Sequence, residues 1–413
     1  MSTTQLNPRH LNSEHPHPLP LDPHLSAFTF SLQAQGYSAA SLRSKIQVVC
    51  NFNRWLGTRA LKVCDLDERA INLFFEEHPR AGYVRRGDHS SLCSLLEWLR
   101  DTNQIRPLLP QVEDSNSYSI ESEFATYLKE ERGLSQTTLC RYMPVIHSFL
   151  SRYSASGTIQ FSEIHILDIT RFIVSLASRV SRRSVQLATS ALRVFFRFLR
   201  FRGDITSDLA AALPTVADWK MSPIPKHLEP DEVERLLTNC NRTTAVGIRN
   251  YGILFLLARL GLRAGEVVAM TLDDIDWDAG VITIRGKGGR RDQLPIPQDV
   301  GKALADYLLH GRPRCQSRRI FVRSRAPLQG FSRSAAIDDI VRRALVRSGL
   351  NPVRKGAHLL RHSFATNMLR QGASLAEIGE ILRHSSANTT EIYAKVDVAA
   401  LSALALPWPG GEV

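Results

Sequence analysis

The first half of the chain repeats itself, and this limits the fold more than any other feature. Phe28, the Gly36-Tyr37-Ser38 turn, Leu42 and Phe52 recur as Phe124, Gly133-Leu134-Ser135, Leu139 and Phe149. Leu66-Asp67 and Trp98-Leu99-Arg100 recur as Leu167-Asp168 and Phe198-Leu199-Arg200. Gly36 and Gly133 lie 97 residues apart and Leu99 and Leu199 lie 100 apart, so only small insertions separate the copies. Each copy reads as a small helical bundle. In the second, Phe124, Tyr127 and Leu128 fall at i, i+3, i+4, and Leu192, Phe195, Phe196 and Leu199 do likewise, the spacing that gathers apolar side chains on one helix face. Ser38 and Ser135 stand where N-caps open the following helix.

Aromatic stripes of this kind are core. The basic residues on the remaining faces carry more information: Arg43 and Lys45 in the first copy, and Arg182, Arg183, Arg193, Arg197, Arg200 and Arg202 in the second. Scattered arginines usually make only a solvated face, but a cluster this dense points to phosphate contact. The formal net charge of +12 agrees in direction. Charge alone is weak support, although basic side chains do gain affinity by displacing phosphate counterions.

A chain of 413 residues is long enough for two or three domains. The first bundle is expected over 24–110 and the second over 115–213. Prolines 214, 223, 225 and 230, with Lys220 and Lys226, mark residues 214–229 as a linker, because proline removes backbone donors and stiffens an extended path. A further domain is expected over 230–396, with Pro230-Asp231-Glu232 in a first helical turn, where acidic side chains complement the dipole. Residues 1–23, rich in Pro, His, Ser and Asn, lack the basic start and apolar middle of a signal peptide and read as a mobile tail. Residues 397–413 form a C-terminal tail in which Val398, Leu401, Leu404 and Leu406 suggest a short apolar helix. No apolar run approaches the roughly 18–20 residues of a membrane span. Ile253–Leu260, flanked by Arg249 and Arg263, reads as a buried helix. The six cysteines are far apart with no CxxC pair, which fits reduced thiols of a cytoplasmic protein rather than a zinc cluster or disulfide framework.

Chemistry-bearing motifs lie past the linker. An apolar helix ending at Gly261 is followed by Arg263-Ala264-Gly265-Glu266 and a short helix over Val267–Leu272. An arginine on such a turn has a fixed direction, and Glu266 can accept its hydrogen bond, though a surface ion pair would look the same in isolation. Val281–Ile284 and Asp292–Ile296 flank a basic, glycine-rich tip that contains Lys287, Arg290 and Arg291, a β-hairpin whose lysine can reach a phosphate or a base edge. It is not a P-loop, since GxxxxGK[ST] is absent. In His358-Leu359-Leu360-Arg361-His362, residues 358 and 361 share a helix face and can converge on one anion. Metal binding by His358 and His362 lacks an obvious third ligand and is opposed by the neighbouring arginine. A helix over Ile378–Leu382 then leads to Arg383-His384, and Glu391-Ile392-Tyr393 follows.

The order Arg263, Lys287, His358, Arg361, His384, Tyr393 resembles the signature of the tyrosine recombinases, the phage integrase family, over about residues 230–395. The second repeat resembles that family's SAM-like core-binding domain. A duplicated bundle departs from the usual two-domain plan, as does Arg383 where glycine often precedes the histidine. The resemblance implies a mainly α fold with a small β-sheet: helical bundles plus a mixed α/β catalytic domain. It implies a site-specific recombinase that works without cofactor or metal, on double-stranded DNA, as a tetramer on paired sites and with sister recombinases as one option. Tyr393 would be the nucleophile and would form a 3′-phosphotyrosyl bond. Arg263 and Arg361 would stabilise the phosphorane, with Glu266 in support, and Lys287 would protonate the leaving oxygen. His358 would assist proton transfer, His384 would donate to the phosphate, and the C-terminal tail would dock on a neighbouring protomer. Arg182, Arg183, Arg193, Arg197, Arg290 and Arg291 would meet DNA. A transposase with the same chemistry and a catalytically silent DNA-binding accessory protein are the alternatives.

Overall fold

The computed structural model describes residues 18–78, 86–105, 116–152, 160–215, 226–286, 290–384, 386 and 389–396. Most of the N-terminal tail, linker residues 216–225, Lys287 and the tail beyond 396 therefore lie outside the described residues. The chain divides into two compact units, Met1–Arg106 together with Ser222–Val413, and Pro107–Met221.

Both repeat copies fold as four helices. The first holds α1 (Asp22–Ala34), α2 (Ala39–Thr58), α3 (Glu68–Glu77) and α4 (Arg86–Asp101). The second holds α5 (Asn116–Glu130), α6 (Gln136–Leu150), α7 (Ile166–Ala177) and α8 (Arg182–Arg202), followed by the short α9 (Leu209–Ala212). In each, a 3₁₀ turn precedes the third helix, Val63–Asp65 and Phe161–Glu163. Repeat-related residues are buried in pairs: Phe28 with Phe124, Leu42 with Leu139, Phe52 with Phe149, Leu99 with Leu199. Burying each such side chain stabilises its bundle by roughly 1.5–3 kcal/mol. Edge-on aromatic contacts add directionality, Phe149 meeting Phe172 at 5.2 Å and Phe196 at 5.6 Å. Ser38 caps α2 by accepting from the Ser41 N–H, as expected. Ser135 occupies the same place before α6, where its hydroxyl meets that of Thr138 at 3.1 Å.

One repeat pairing fails. Leu66 is 4% exposed but Leu167 is 66% exposed, and the true counterpart of Leu66 is Ile164, 3% exposed, which follows the same 3₁₀ turn. Asp67 caps α3 with its side chain, whereas Asp168 lies inside α7 and accepts from the His165 N–H. An acid is favoured both at the cap and in the first turn, so a Leu-Asp pair can recur three residues out of phase.

Within the first unit the chain from Leu228 builds a second core. The Leu228 N–H donates to the Ser363 hydroxyl at 2.8 Å, and α10 (Pro230–Thr238) opens with Glu229 and Glu232 in a capping box. The helix α11 (Ala245–Arg259) is buried along Gly252–Ala258, as its apolar run requires. The next helix, α12 (Ala264–Ala269), begins three residues earlier than expected, because the Glu266 carboxylate accepts from the Arg263 N–H and starts it there. The expected hairpin is present as β2 (Val281–Arg285) and β3 (Arg291–Pro295), with Thr283 opposite Gln293. A two-residue strand, β1 (Ile275–Asp276), pairs antiparallel with β2 and completes a sheet of order β1-β2-β3. The rest is helical: α13 (Gln298–Asp306) running into a π turn at Tyr307–Gly311, α14 (Ala335–Arg347), α15 (Ala357–Arg370), α16 (Leu375–Ile381) and a 3₁₀ turn, Glu391–Val396. The expected fold class, mainly α with a small sheet, is thus the observed one. In the same unit the first bundle touches this core where the Leu328 N–H donates to the Gln35 carbonyl at 2.9 Å. Among the described residues no helix is long and apolar enough to cross a membrane.

Candidate active site

A buried guanidinium ties the site together. Arg361, 4% exposed, projects from α15 and donates from Nη1 to the Gly261 carbonyl at 2.6 Å and from Nη2 to the Leu382 carbonyl. It therefore locks α15 to the turn before α12 and to the end of α16. Burial, reinforced by Arg263, pushes its pKa down to about 10, so it stays cationic at neutral pH. Gly261 is needed here for two reasons. Its φ is +56°, and a Cβ would lie 2.7 Å from Phe364 and 2.8 Å from Leu382.

Arg263 stands at the N-cap of α12, a third exposed, with its direction set as the sequence suggests. Its Nη1 donates to one Glu266 oxygen and its backbone N–H to the other, both at 2.8 Å, while Nη2 reaches the Arg383 carbonyl at 3.3 Å. Burial pushes the Glu266 carboxyl up, but Arg383 and Arg263 outweigh it and hold the group below its ordinary range. Arg383 is the second partner. Its Nη2 donates to Glu266 at 2.9 Å, and both side chains are almost fully buried. The φ of Arg383 is +56°, which explains why glycine suits this position; a left-handed non-glycine residue costs about 1–3 kcal/mol. Here the turn places the Arg383 guanidinium between the Glu266 carboxylate and the Ile381 carbonyl, to which Nη1 donates at 2.8 Å. The same turn aims the next residue, since the His384 N–H closes α16 on the Gly379 carbonyl at 2.9 Å.

His384 Nδ1 lies 2.7 Å from the Thr390 hydroxyl. A hydroxyl that donates to Nδ1 leaves the ring proton on Nε2, free to donate. Burial, then Arg361, Arg263 and Arg383, lowers the pKa of His384 to about 4, so the ring is neutral near pH 7. Tyr393 sits in a satellite core with Ala365, Ile378 and Leu382 and is 1% exposed. Its hydroxyl is 2.9 Å from His362 Nδ1. Burial raises the phenol to about 12 against the pull of Arg361 and Arg263. His362 is pushed down to about 4 by burial, then by His358 and Arg361.

The structure thus brings Arg263, Glu266, Arg361, His384 and Tyr393 together. His358 stands exposed one turn before His362, their ring centroids 6.4 Å apart. Lys287 lies outside the described residues; among those flanking it, the Gly286 N–H donates to the Arg290 carbonyl at 2.8 Å. Arg290 and Arg291 are exposed, and Arg290 shares with Asp292, Arg383, His384, Thr390 and Glu391 a cleft of about 600 Å³. The arginine cluster on α8 splits. Arg182, Arg183 and Arg197 stand exposed, whereas Arg193 donates to the Leu213 carbonyl at 3.3 Å. Arg200 pairs with Asp208, and Arg202 with Glu123 and Asp204. Sequence reasoning missed His362, Arg383 and Thr390 as parts of the site. His362 and Arg383 were signalled only by adjacency to Arg361 and His384, and Thr390 only by standing three residues before Tyr393, none of which reveals who touches whom. Among the described residues no group of three His, Cys, Asp or Glu side chains is placed to hold a metal ion.

Two arginines, a histidine and a buried tyrosine are gathered in one mixed α/β domain, and similarity to known proteins gives the class, a DNA strand transferase. Residues 226–399 match the phage integrase family, and residues 122–203 match the phage integrase N-terminal SAM-like domain. A Sinorhizobium fredii protein named as an integrase/recombinase, y4rA, is 43% identical over 95% of each chain. Tyrosine recombinase XerD of Mycobacterium tuberculosis is 32% identical over 70% of this chain and 96% of its own. The XerH site-specific recombinase in a post-cleavage complex with palindromic difH substrate shares the fold, with a TM-score of 0.56, 21% identity, and coverage of 71% of this chain and 89% of that one. The chain belongs to the phage integrase family of tyrosine recombinases. It is a tyrosine site-specific recombinase, of an enzyme family that cleaves and rejoins DNA, and the relatives do not favour the transposase alternative.

Proposed function

We propose that Tyr393 attacks a phosphodiester of double-stranded DNA, forms a 3′-phosphotyrosyl bond and releases a 5′-hydroxyl. Covalent catalysis conserves the bond energy for rejoining. The observation that carries this reading is geometric: Arg361 and Arg263 both donate to the turn at the end of α16, to the Leu382 and Arg383 carbonyls, and Tyr393 packs into the same small core as Leu382. As the phosphorane forms, charge grows on its nonbridging oxygens, and permanently charged donors that are already oriented stabilise it without reorganising. Glu266 holds Arg263 in that orientation. His384, neutral and held through Nδ1, would donate from Nε2 to the phosphate. Family resemblance assigns Lys287 the proton for the leaving oxygen and His358 assistance at the phenol.

In this reading the second bundle, 115–213, and the hairpin grip the duplex through Arg182, Arg183, Arg197, Arg290 and Arg291, while Arg193, expected with them, is half-buried on the Leu213 carbonyl. The enzyme works in the cytoplasm as a tetramer on paired sites, coupled through residues 397–413, with no cofactor. Covalent trapping tests the centre of it. Mixed with nicked duplexes tiled across the DNA flanking its gene, the wild type should give a band that survives denaturation, and Tyr393→Phe should bind equally and give none. A surviving band in the Phe variant would sink the assignment.

A further inference from the structure

We propose that His362 is a positioning residue for the Tyr393 phenol, taking its hydrogen bond and fixing where the attacking oxygen sits. The inference rests on Tyr393 being the nucleophile. A phenol that is 1% exposed must find its partner inside the protein, and the His362 ring supplies one, with Nδ1 at 2.9 Å and ring centroids 5.7 Å apart. The two side chains arrive from different elements. His362 follows Arg361 on α15, whose guanidinium is pinned to the Gly261 and Leu382 carbonyls, so this stretch of helix does not move independently of the phosphate-binding arginine. Tyr393 comes from the 3₁₀ turn at Glu391–Val396, anchored by its N–H on the Thr390 carbonyl at 2.9 Å. The contact therefore joins the nucleophile's turn to the helix that carries Arg361.

Chemistry restricts what His362 does there. Facing it are His358 and Arg361 on its own helix, Arg354 in the preceding loop, His227 ahead of α10, and Tyr393 itself. Burial with this cationic surrounding keeps the imidazole neutral, so Nδ1 accepts and the ring proton resides on Nε2. With burial holding the imidazole pKa low and the phenol pKa high, His362 is a poor base for that proton in this arrangement. Its contribution is placement: a nucleophile misplaced by about 1 Å can cost 100-fold in rate.

The test uses the full-length enzyme in single-turnover cleavage of a nicked duplex that supports Tyr393-dependent trapping, with DNA binding measured alongside. Asparagine sets an acceptor oxygen where Nδ1 lies; leucine fills the space without one. H362L should cleave roughly 100-fold more slowly with binding within about 2-fold of wild type, and H362N should recover to within about 10-fold of wild type. Should the leucine variant fail to fold, H362S, too short to reach the phenol, takes its place. Wild-type cleavage by the acceptor-free variant overturns the proposal, as does an H362N enzyme no faster than that variant. A covalent adduct in Y393F would instead overturn the nucleophile assignment, so the two failures are distinct.

Discussion

The last helices of the two bundles agree on the inside and disagree on the outside. Leu92, Leu95, Leu96 and Leu99 of α4 hold the places of Leu192, Phe195, Phe196 and Leu199 of α8, and all eight are buried. Off the fully buried stripe, half-buried Cys93 and exposed Glu97 stand where α8 has half-buried Arg193 and exposed Arg197. Between residues 182 and 202 no acidic residue interrupts the arginines, whereas α4 carries Asp88, Glu97 and Asp101. At 100° per residue, Arg182, Arg193 and Arg197 fall within about 60° of one another, along one side of the core stripe. The first copy also withdraws one of its cations: Lys45 is half-buried, its Nζ lying 4.9 Å over the Tyr37 ring and donating to the Ser91 hydroxyl at 3.3 Å. Packing keeps a duplicated core alike, while surface positions drift freely. A shared fold therefore says nothing about a shared partner.

If the cores are equivalent, they should fail equally. Phe52→Ala and Phe149→Ala each remove a fully buried ring from the same place in its bundle, and each should cost roughly 3–5 kcal/mol. Denaturant unfolding followed by limited proteolysis would report which bundle opens. A silent Phe52→Ala would show that the first copy tolerates a cavity the second does not, and the comparison would lose its common ground.

The repeat was legible because its spacing reports packing, and Phe52 and Phe149 had to be core wherever the helices lay. Leu167 was misplaced because a Leu-Asp pair carries no register of its own, and burial chose Ile164 instead. Within the site, the order of residue types, through its resemblance to the family's signature, pointed to Arg263, Arg361, His384 and Tyr393, and the fold brings these four into one place; their catalytic roles are the proposal. Which histidine meets the phenol was not legible. His358 and His362 sit one turn apart, and only the path of the Glu391–Val396 turn brings Tyr393 to the second. Arg383 was equally opaque. Its value depends on a left-handed turn and on Glu266, 117 residues earlier in the chain.

The surface difference predicts an asymmetry in DNA affinity. Arg182→Ala, Arg183→Ala and Arg197→Ala together remove three exposed cations from α8 without touching the ion pairs of Arg200 and Arg202. Each lost phosphate contact should flatten the salt dependence by about 0.9, so the triple variant should lose nearly 3 from the slope and on the order of 100-fold in affinity near 0.1 M salt. A salt titration of binding to a duplex longer than the site measures both. An unchanged slope would mean that these arginines form only a solvated face.

The smallest effect is the most informative about the extra bundle. Glu97→Arg gives α4 the side chain that α8 carries at Arg197, on an exposed position outside the buried stripe. A first bundle that stays off the duplex gains nothing from the added charge beyond a weak, screened attraction, because exposed charges more than about 10 Å apart are largely screened at 0.1 M salt. We expect affinity within about 2-fold of wild type and an unchanged salt slope, where one new phosphate contact would steepen it by about 0.9. Such a steepening would place α4 along the DNA backbone and make the bundles two grips on one substrate. A flat result leaves the acidic outer face of α4, and the contact of Gln35 with Leu328, as the features by which the first copy serves the rest of its unit.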